Sequence, residues 1–246
     1  MLNKKLVLVT AGSRGIGAAI VKALVEQDYY VVFTYKNNKG LAEELAASLN
    51  KKGEVCAFYP CDVGVVGEVK QLCETVLEQH GVPYGIINNA GITKDRFNFD
   101  MPIEDWHDVI NTNLNAIFYI NHYLLTAMIL KKEGCIININ SIAGLRGNAG
   151  QTNYAAAKSG QYGLIKSLAR EVGHFNVRVN CVAPGPIDTD MIASVPQKTL
   201  DQVIKLTPLK RIGKPEDVAL MVAFLLGKGG NHITGQTFVV DGGMSI

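Results

Sequence analysis

Apolar and polar residues follow two recurring patterns along this chain. Short runs that are almost entirely apolar predict buried strands, and longer segments whose apolar residues recur every three or four positions predict helices. The predicted strands cover residues 6–10, 30–35, 55–59, 85–88, 135–140, 177–182 and 237–240. The helical pattern occupies residues 16–27, 41–49, 65–80, 106–130 and 154–172, and a last helix begins at Pro215. Residues 188–212 are of mixed polarity.

The regular alternation of strand and helix predicts the fold class. Parallel strands need a crossover connection, usually a helix, and strands buried on both faces read as continuous apolar runs. We therefore expect an α/β fold, a Rossmann-type doubly wound parallel sheet of about seven strands with helices on both faces. The sequence shows no internal repeat and no linker, so we expect residues 1–246 to form a single domain.

Charge and apolar content narrow the classes of partner. Lys and Arg number 24 and Asp and Glu number 22, and this net charge of +2 favours neither nucleic acid nor an anionic membrane. The apolar run at the amino terminus is too short for a signal peptide, and no later run is long enough to span a bilayer, so we expect a soluble protein. The partners expected are small molecules or other proteins.

Cysteine and histidine positions bear on redox compartment and metal binding. The five cysteines show no C-x-x-C spacing and lie mostly in apolar runs, which is typical of reduced core thiols and suits the cytoplasm. The five histidines are scattered without ligand spacing, so we expect no metal site. Asp188 and Asp190 follow Pro184-Gly185 and are interpreted as turn residues rather than as a pair of acid and base.

A glycine-rich turn, TAGSRGIG, separates the first strand from the first helix. Its glycines are Gly12, Gly15 and Gly17. Backbone N–H groups and the positive end of the helix dipole attract a pyrophosphate there, and glycine allows it to approach closely. The spacing differs from G-x-G-x-x-G, but the position after the first strand of an α/β chain favours a dinucleotide site over a purely structural turn.

The end of the second predicted strand bears on the choice of cofactor. A protein that binds NAD usually places Asp or Glu there to accept from the ribose 2′-hydroxyl, whereas this chain has Thr34, Tyr35 and Lys36. Lys36, together with Arg14 of the glycine turn, can pair with a 2′-phosphate. The sequence therefore favours NADPH, and the alternative for Lys36 is a solvated loop lysine.

Tyr154 and Lys158 lie four residues apart in a predicted helix, and so on the same face of it. An ammonium beside a phenol lowers the pKa of the phenol from about 10 toward neutral pH, which suits a general acid. Ser141 follows the fifth predicted strand, at the edge where open α/β sheets bind ligands. A phenol and a hydroxyl there predict protonation and stabilisation of a carbonyl oxygen. The alternative is a Tyr and a Lys on an ordinary exposed helix.

These motifs, taken in order, resemble the short-chain dehydrogenase/reductase family. The matching segments are VTAGSRGIG, CDV at 61–63, NNAG at 88–91, TNLN around Asn113, the Ser141, Tyr154 and Lys158 set, and APGPIDTDM. Within that family the chain is similar to the 3-oxoacyl-[acyl-carrier-protein] reductases, through GITKD, GNAGQTNYAAAKSG, SLAREV, RVNCVAPG and ITGQTFVVDGGM.

The resemblance implies an activity and a set of site residues. The activity is NADPH-dependent reduction of a 3-oxoacyl thioester, carried by an acyl carrier protein, to the 3-hydroxyacyl thioester, as in fatty acid biosynthesis. The implied catalytic residues are Asn113, Ser141, Tyr154 and Lys158. The implied cofactor-binding residues are Gly12, Ser13, Arg14, Gly15, Ile16, Gly17, Lys36, Asp62, Val63, Asn89, Ala90, Gly91, Tyr154, Lys158, Pro184, Gly185, Ile187 and Thr189. On the substrate side it implies Ser141, Gln151 and Tyr154.

The resemblance also assigns roles and an assembly. Lys158 holds the nicotinamide ribose as well as lowering the pKa of Tyr154, and Asn113 supports a water molecule that leads to Lys158. A homotetramer with two-fold interfaces is expected, built partly from the long helices that contain Asn113 and Tyr154. An acidic carrier protein would need a basic surface, for which Lys131 and Lys132 are candidates. Phe175 occupies a position that is often basic, which weakens the inference that a carrier docks.

One further departure from the family pattern lies in the glycine turn. The family usually has glycine at position 11 followed by alanine, whereas this chain has Ala11 followed by Gly12. If position 11 needs a left-handed backbone, alanine costs about 1 to 2 kcal/mol there; otherwise the turn shifts by one residue. We expect Gly12 to loosen the turn, and the exchange Ala11→Gly with Gly12→Ala to keep or tighten NADPH binding.

The sequence offers several alternatives for the substrate. Phe97 and Phe99, in the loop KDRFNFDM, are candidates either for contact with an aromatic or polyene chain or for packing of a lid. The same mechanism also serves a polyketide intermediate, an acyl-CoA or a small ketone. A non-catalytic nucleotide sensor is the other class, and the four intact catalytic positions disfavour it.

Overall fold

The computed structural model describes residues 4–193 and 195–246. Its centre is a seven-stranded parallel sheet in the order β3-β2-β1-β4-β5-β6-β7. The strands are β1 (Leu6–Val9), β2 (Tyr30–Tyr35), β3 (Cys56–Pro60), β4 (Gly85–Asn88), β5 (Gly134–Ile139), β6 (Val177–Pro184) and β7 (Thr237–Val240). The predicted parallel, doubly wound sheet is confirmed.

The helices pack on both faces of this sheet. They are α1 (Gly15–Glu26), α2 (Lys39–Leu49), α3 (Val66–Gln79), α4 (Ile103–Ile110), α5 (Ala116–Lys131), α6 (Ala143–Arg146), α7 (Thr152–Val172), α8 (Asp190–Ala193), α9 (Gln197–Leu206) and α10 (Pro215–Leu226). The helix predicted over residues 106–130 is interrupted, because a π-helical turn at Asn111–Asn115 joins α4 to α5. The region of mixed polarity contains α8 and α9.

Successive residues of the strands face two separate cores. In β1, Val7 and Val9 pack with α1 and α10, including Leu24 and Val222. Leu6 and Leu8 point to the opposite face, where the core includes residues of α3, α5 and α7 such as Leu124. This period of two, with both faces covered by helices, explains why the strands read as unbroken apolar runs.

The strand order reverses between β1 and β4, and this reversal positions the site. The chain winds outward from β1 to β3 on one side and from β4 to β7 on the other. A crevice forms at the carboxyl ends of the strands where such a reversal occurs, and ligands of open α/β sheets bind there. The glycine turn after β1 and the loops after β4, β5 and β6 all lie at this edge.

Candidate active site

The glycine turn is bonded to the strand beside it. The Ala11 N–H donates to the hydroxyl of Thr34 at 3.0 Å, and the Gly12 N–H donates to the Thr34 carbonyl at 2.8 Å. Ala11 has a φ of 51°, so position 11 does take the left-handed conformation and the turn has not shifted. Alanine therefore carries the expected strain at this position.

Positions 12 and 17 require glycine because neighbouring atoms leave no room for a Cβ atom. A Cβ atom on Gly12 would lie 2.6 Å from the Cβ atom of Phe33, and one on Gly17 would lie 2.2 Å from the carbonyl oxygen of Ala11. The expectation that Gly12 loosens the turn, and that alanine is tolerated there, is wrong in this geometry. Gly12 lies against β2, where its N–H is bonded to Thr34 and Phe33 fills the space beside it.

The loops after β1 and β4 are joined by hydrogen bonds across the reversal point. The hydroxyl of Thr10 accepts from the N–H groups of Asn89 and Ala90, each at 2.9 Å. The side-chain amide of Asn89 donates to the carbonyl oxygens of Thr10 and Ala11 at 3.0 and 3.1 Å. These bonds bring the predicted cofactor residues of the two loops together and orient the glycine turn.

The segment after β6 lies over the same turn. The Gly185 N–H donates to the carbonyl of Val240 at 3.0 Å, and Ile187 is buried. A Cβ atom on Gly15, whose φ is 53°, would lie 3.3 Å from the Cγ2 atom of Thr189. Thr189 therefore lies beside the glycine turn, and Ile187 is buried two residues before it.

Both cations proposed for a 2′-phosphate are paired with carboxylates. A guanidinium nitrogen of Arg14 lies 2.8 Å from Asp190, and the ammonium of Lys36 lies 2.6 Å from Asp62. Both cations are more than half exposed. Exposed pairs of this kind contribute about 0 to 1 kcal/mol, so a phosphate can displace them at little cost. Asp190, interpreted from sequence as a turn residue, also connects α8 to the glycine turn.

Tyr154 and Lys158 lie together in α7, in contact with the end of β5. Lys158 is buried, and its ammonium donates to the carbonyl of Ile139 at 2.8 Å and lies 5.6 Å from the centre of the Tyr154 ring. Burial lowers the pKa of Lys158 to about 8. A buried ammonium is costly, and it persists here because it has a carbonyl partner.

The pKa of Tyr154 moves in the direction opposite to the predicted one. Burial raises it to about 12, the hydroxyl of Ser141 acts to lower it, and the charge of Asp95 acts to raise it. Desolvation therefore outweighs any tuning by Lys158 in this structure, which corrects the sequence-based expectation. The phenol is protonated at neutral pH, and this is the form that can donate a proton.

Ser141 is fixed by neighbours that the sequence did not single out. Its N–H donates to Asn140 at 2.7 Å, its side-chain oxygen accepts from the Ala143 N–H at 3.1 Å, and its carbonyl accepts from the Tyr162 hydroxyl at 3.0 Å. Asn140 also donates to the carbonyl of Lys158 at 2.9 Å. Tyr162 continues the spacing of four from Tyr154 and Lys158, and this spacing is the signal that could have identified it.

Asn113 lies in the π-helical turn and is fully buried. Its amide accepts from the N–H of Ile92 at 2.8 Å and donates to the carbonyl of Ile92 at 2.9 Å. A Cβ atom on Gly91 would lie 3.3 Å from the Asn113 amide oxygen and 3.7 Å from the Lys158 ammonium. Asn113 and Lys158 thus meet beside Gly91, although the Asn113 amide is occupied by backbone. Its main-chain carbonyl accepts from buried Gln161 at 2.7 Å, a residue that sequence reasoning missed.

Gln151 joins the segment before Tyr154 to the loop after β4. Its side-chain N–H donates to Asp95 at 2.8 Å, and the N–H of Arg96 donates to the carbonyl of Gly150 at 2.8 Å. Asn153 donates to the carbonyl of Lys94 at 3.0 Å. The predicted substrate-side residue therefore holds the loop that carries Phe97 and Phe99 against the site.

Other ionisable groups in the described ranges 4–193 and 195–246 form no second centre. Within them, no cluster of three or more His, Cys, Asp or Glu residues is arranged to hold a metal ion. All five cysteines are free and buried, and burial raises the pKa of both Cys61 and Cys73 to about 12. No helix within these ranges combines the length and the apolar content needed to cross a membrane.

Comparison with known proteins identifies relatives of this chain. Residues 10–245 match the family described as enoyl-(acyl carrier protein) reductase. The chain is 43% identical over 246 residues to the 3-oxoacyl-[acyl-carrier-protein] reductase FabG of Chlamydia trachomatis, covering 100% of this chain and 99% of that protein. It is 42% identical over 243 residues to the protein of the same name from Pseudomonas aeruginosa, covering 99% and 98% respectively. The corresponding Staphylococcus epidermidis protein is 41% identical over 243 residues, covering 99% of both chains.

Proposed function

The chain belongs to the short-chain dehydrogenase/reductase family, and we propose that it reduces 3-oxoacyl thioesters to 3-hydroxyacyl thioesters. The observation that carries this proposal is the identity of 40 to 43% to 3-oxoacyl-[acyl-carrier-protein] reductases over nearly the whole chain. The site supports it, because a phenol and a hydroxyl face one another, which suits protonation of a ketone oxygen. Residues 1–246 are proposed to form a single domain that both binds the dinucleotide and carries the catalytic residues.

A nicotinamide cofactor fits the residues present. No described side chain caps the first turn of α1, so the N–H groups of that turn face the position that a pyrophosphate would take. The missing Cβ atoms of Gly12 and Gly17 let the turn pack against Phe33 and the Ala11 carbonyl, and the left-handed φ of Gly15 completes the shape of the turn that a pyrophosphate would meet. Residues 12–17 would hold the pyrophosphate, while Asp62, Val63 and residues 89–91 would line the adenosine side. When bound, the nicotinamide cofactor supplies the hydride.

Ser141 and Tyr154 would act on the ketone oxygen. The Ser141 hydroxyl donates a hydrogen bond to the oxygen and stabilises the charge that develops on it. Tyr154 then gives its phenolic proton to that oxygen, so that a hydroxyl forms while the hydride arrives at the carbon. Tyr154 is protonated at neutral pH, as its role as the proton donor in the reductive direction requires.

Lys158 and Asn113 would support this step. The Lys158 ammonium lies close enough to Tyr154 to stabilise the phenolate left after proton transfer, and it can also bind the nicotinamide ribose. With a pKa of about 8, Lys158 can pass a proton on during the cycle. Asn113 adjoins Lys158 at Gly91, where a water molecule would complete the path to solvent.

The preferred cofactor proposed is NADPH. The end of β2 carries Thr34, Tyr35 and Lys36 instead of a carboxylate, and the exposed cations Lys36 and Arg14 are held by weak surface pairs only. A 2′-phosphate would replace the partners of both cations. NADH lacks this phosphate and would leave the two pairs as they are.

Exposed apolar surfaces support a homotetramer. The α5 helix exposes Phe118 and Leu130, and the edge formed by α10 and β7 exposes Leu220, Phe224 and Val239. Two such faces permit two different two-fold contacts. The acyl chain is proposed to arrive on an acyl carrier protein in the cytoplasm, where the five thiols remain reduced. Light scattering would test the assembly.

The decisive experiment measures cofactor oxidation with matched 3-oxoacyl substrates on carrier protein, on CoA and as a free ketone. The proposal expects the highest kcat/KM with the carrier-bound ketone. A trans-2-enoyl thioester serves as a control, since the matching family description names enoyl reduction. Turnover of the enoyl substrate without turnover of any ketone would overturn the proposal.

A further inference from the structure

Two phenylalanines in the loop after β4 form a parallel pair. The ring centres of Phe97 and Phe99 are 5.6 Å apart and the ring planes differ by 4°. Phe97 is 60% exposed and Phe99 is 90% exposed, so each ring has a face in solvent. Neither ring belongs to the two cores of the fold. Exposed apolar groups of this size and order mark binding surfaces more often than they serve stability.

The loop that carries the rings forms the rim of the proposed active site. Arg96, directly before Phe97, bonds to Gly150, and Asp95 accepts from Gln151. These contacts place the rings just beyond the segment that leads into Tyr154. Asp95 is also close enough to Tyr154 for its charge to act on the phenol.

The backbone of the loop that carries the rings is anchored at both ends of the pair. Lys94 anchors the start of the loop to α4, with its ammonium 2.8 Å from Asp105 and 2.7 Å from Asp108. The N–H of Asp100 donates to the carbonyl of Phe97 at 2.9 Å, which closes a short 3₁₀ turn around the pair. A surface ordered in advance loses little entropy when it binds, so it can discriminate between ligands.

We propose that Phe97 and Phe99 form a stacking platform for the acyl chain, and that this platform selects flat chains, conjugated or aryl-terminated, over saturated ones. The inference rests on the proposed reduction of 3-oxoacyl thioesters. A flat π system gains stacking energy on a phenyl face, whereas a saturated chain gains only the burial of apolar area. The size of such stacking terms predicts a preference of a few-fold to about tenfold in kcat/KM.

A second copy of the chain is the competing occupant of this surface. The apolar faces proposed for assembly lie on α5 and on the edge of α10 and β7. The platform instead belongs to the loop whose hydrogen bonds run to residues 150–153, directly before Tyr154. This continuity with the catalytic segment favours the acyl chain.

The test compares two 3-oxoacyl thioesters of equal length, one saturated and one with a conjugated diene or a terminal phenyl ring. The variants are Phe97→Leu with Phe99→Leu, which keeps apolar bulk without a π face, and Phe97→Tyr with Phe99→Tyr, which keeps the rings. The leucine variant should lose the preference for the flat chain, so that its kcat/KM values for the two chains become equal. The tyrosine variant should keep the preference of the original enzyme.

Two results would overturn the platform. One is an equal fall for both chains in the leucine variant, which would make the rings a simple apolar lid. The other is unchanged selectivity with an altered mass in light scattering, which would make them a subunit contact. Calorimetric titration of the two 3-hydroxyacyl products measures binding to the platform independently of turnover. If neither ketone is reduced but the flat product still binds more tightly in a ring-dependent way, the proposed function fails and the platform stands.

Discussion

The ammonium nitrogen of Lys36 lies 2.6 Å from the Oδ2 atom of Asp62. The first residue after β2 is thus paired with a residue from the loop after β3, where the adenine side of the cofactor is proposed to bind. Asp62 is further held by its own turn, since its Oδ1 atom accepts from the Gly64 N–H at 3.0 Å. Lys36 therefore has an anionic partner that can be exchanged for a 2′-phosphate.

Lys36→Asp should shift cofactor preference from NADPH toward NADH. The substitution removes the partner of the 2′-phosphate and sets a second carboxylate beside Asp62, so kcat/KM with NADPH should fall by about tenfold or more. Asp62→Asn is the matched variant: it frees Lys36 and should retain the preference for NADPH. Steady-state rates with both cofactors check this, and equal kcat/KM values in the unmodified enzyme would contradict it.

Gly12→Ala should destabilise the fold, although Ala11→Gly should not. Alanine at position 12 places a Cβ atom 2.6 Å from that of Phe33, and overpacking of this kind costs about 1 to 3 kcal/mol. Glycine at position 11 relieves the strain of φ 51°, and the greater freedom of the unfolded chain offsets part of that gain. Urea denaturation of both single variants and the double variant measures this. A double variant more stable than Ala11→Gly alone would refute the steric account.

Tyr154→Phe should abolish most activity without harming the fold. The change removes one oxygen and leaves the ring to pack, so NADPH binding should persist while kcat falls by about 10² to 10⁴. Fluorescence titration of NADPH, alongside steady-state rates, separates the two effects. Retention of kcat within a few-fold of the original value would exclude Tyr154 as the proton donor.

Lys158→Ala should lower kcat and NADPH affinity together, because the ammonium is proposed to serve both the phenolate and the ribose. Its effect combined with Tyr154→Phe should be far from additive, since the two residues act as a unit. The double variant should be little slower than the worse single one. Additive losses in log kcat would indicate that the two side chains act independently.

The pKa of Lys158 also predicts how stability depends on pH. The folded chain releases this proton near pH 8, whereas the unfolded chain keeps it up to its ordinary value of 10.5. Between these values the unfolded state binds more protons, so Lys158 makes the fold more stable as pH rises from about 8 to 10. Thermal denaturation of the wild type minus that of Lys158→Met should show this gain. Parallel curves for the two proteins would mean that Lys158 titrates normally.

Much of the candidate site could be predicted because its signals are local. The glycine turn follows an apolar strand directly, and Tyr154 and Lys158 are related by one turn of a single helix, so each pattern is complete within a few residues. The supporting contacts are different. The bond from Gln161 to the carbonyl of Asn113, and that from Tyr162 to Ser141, join residues 48 and 21 positions apart. The spacing of four points to Tyr162 as a residue, but no sequence pattern predicts which distant carbonyl either side chain contacts.

The sequence by itself determined the seven strands, their parallel direction, the longer helices between most of them and the positions of the site motifs. These follow from apolar periodicity and from turn residues, which act over one element at a time. Only the tertiary structure decided that Ala11 is left-handed, that Gly12 touches Phe33 and that the pKa of Tyr154 rises instead of falling. Backbone approach and desolvation depend on which distant residues surround a group, and that environment exists only once the sheet and its helices have packed.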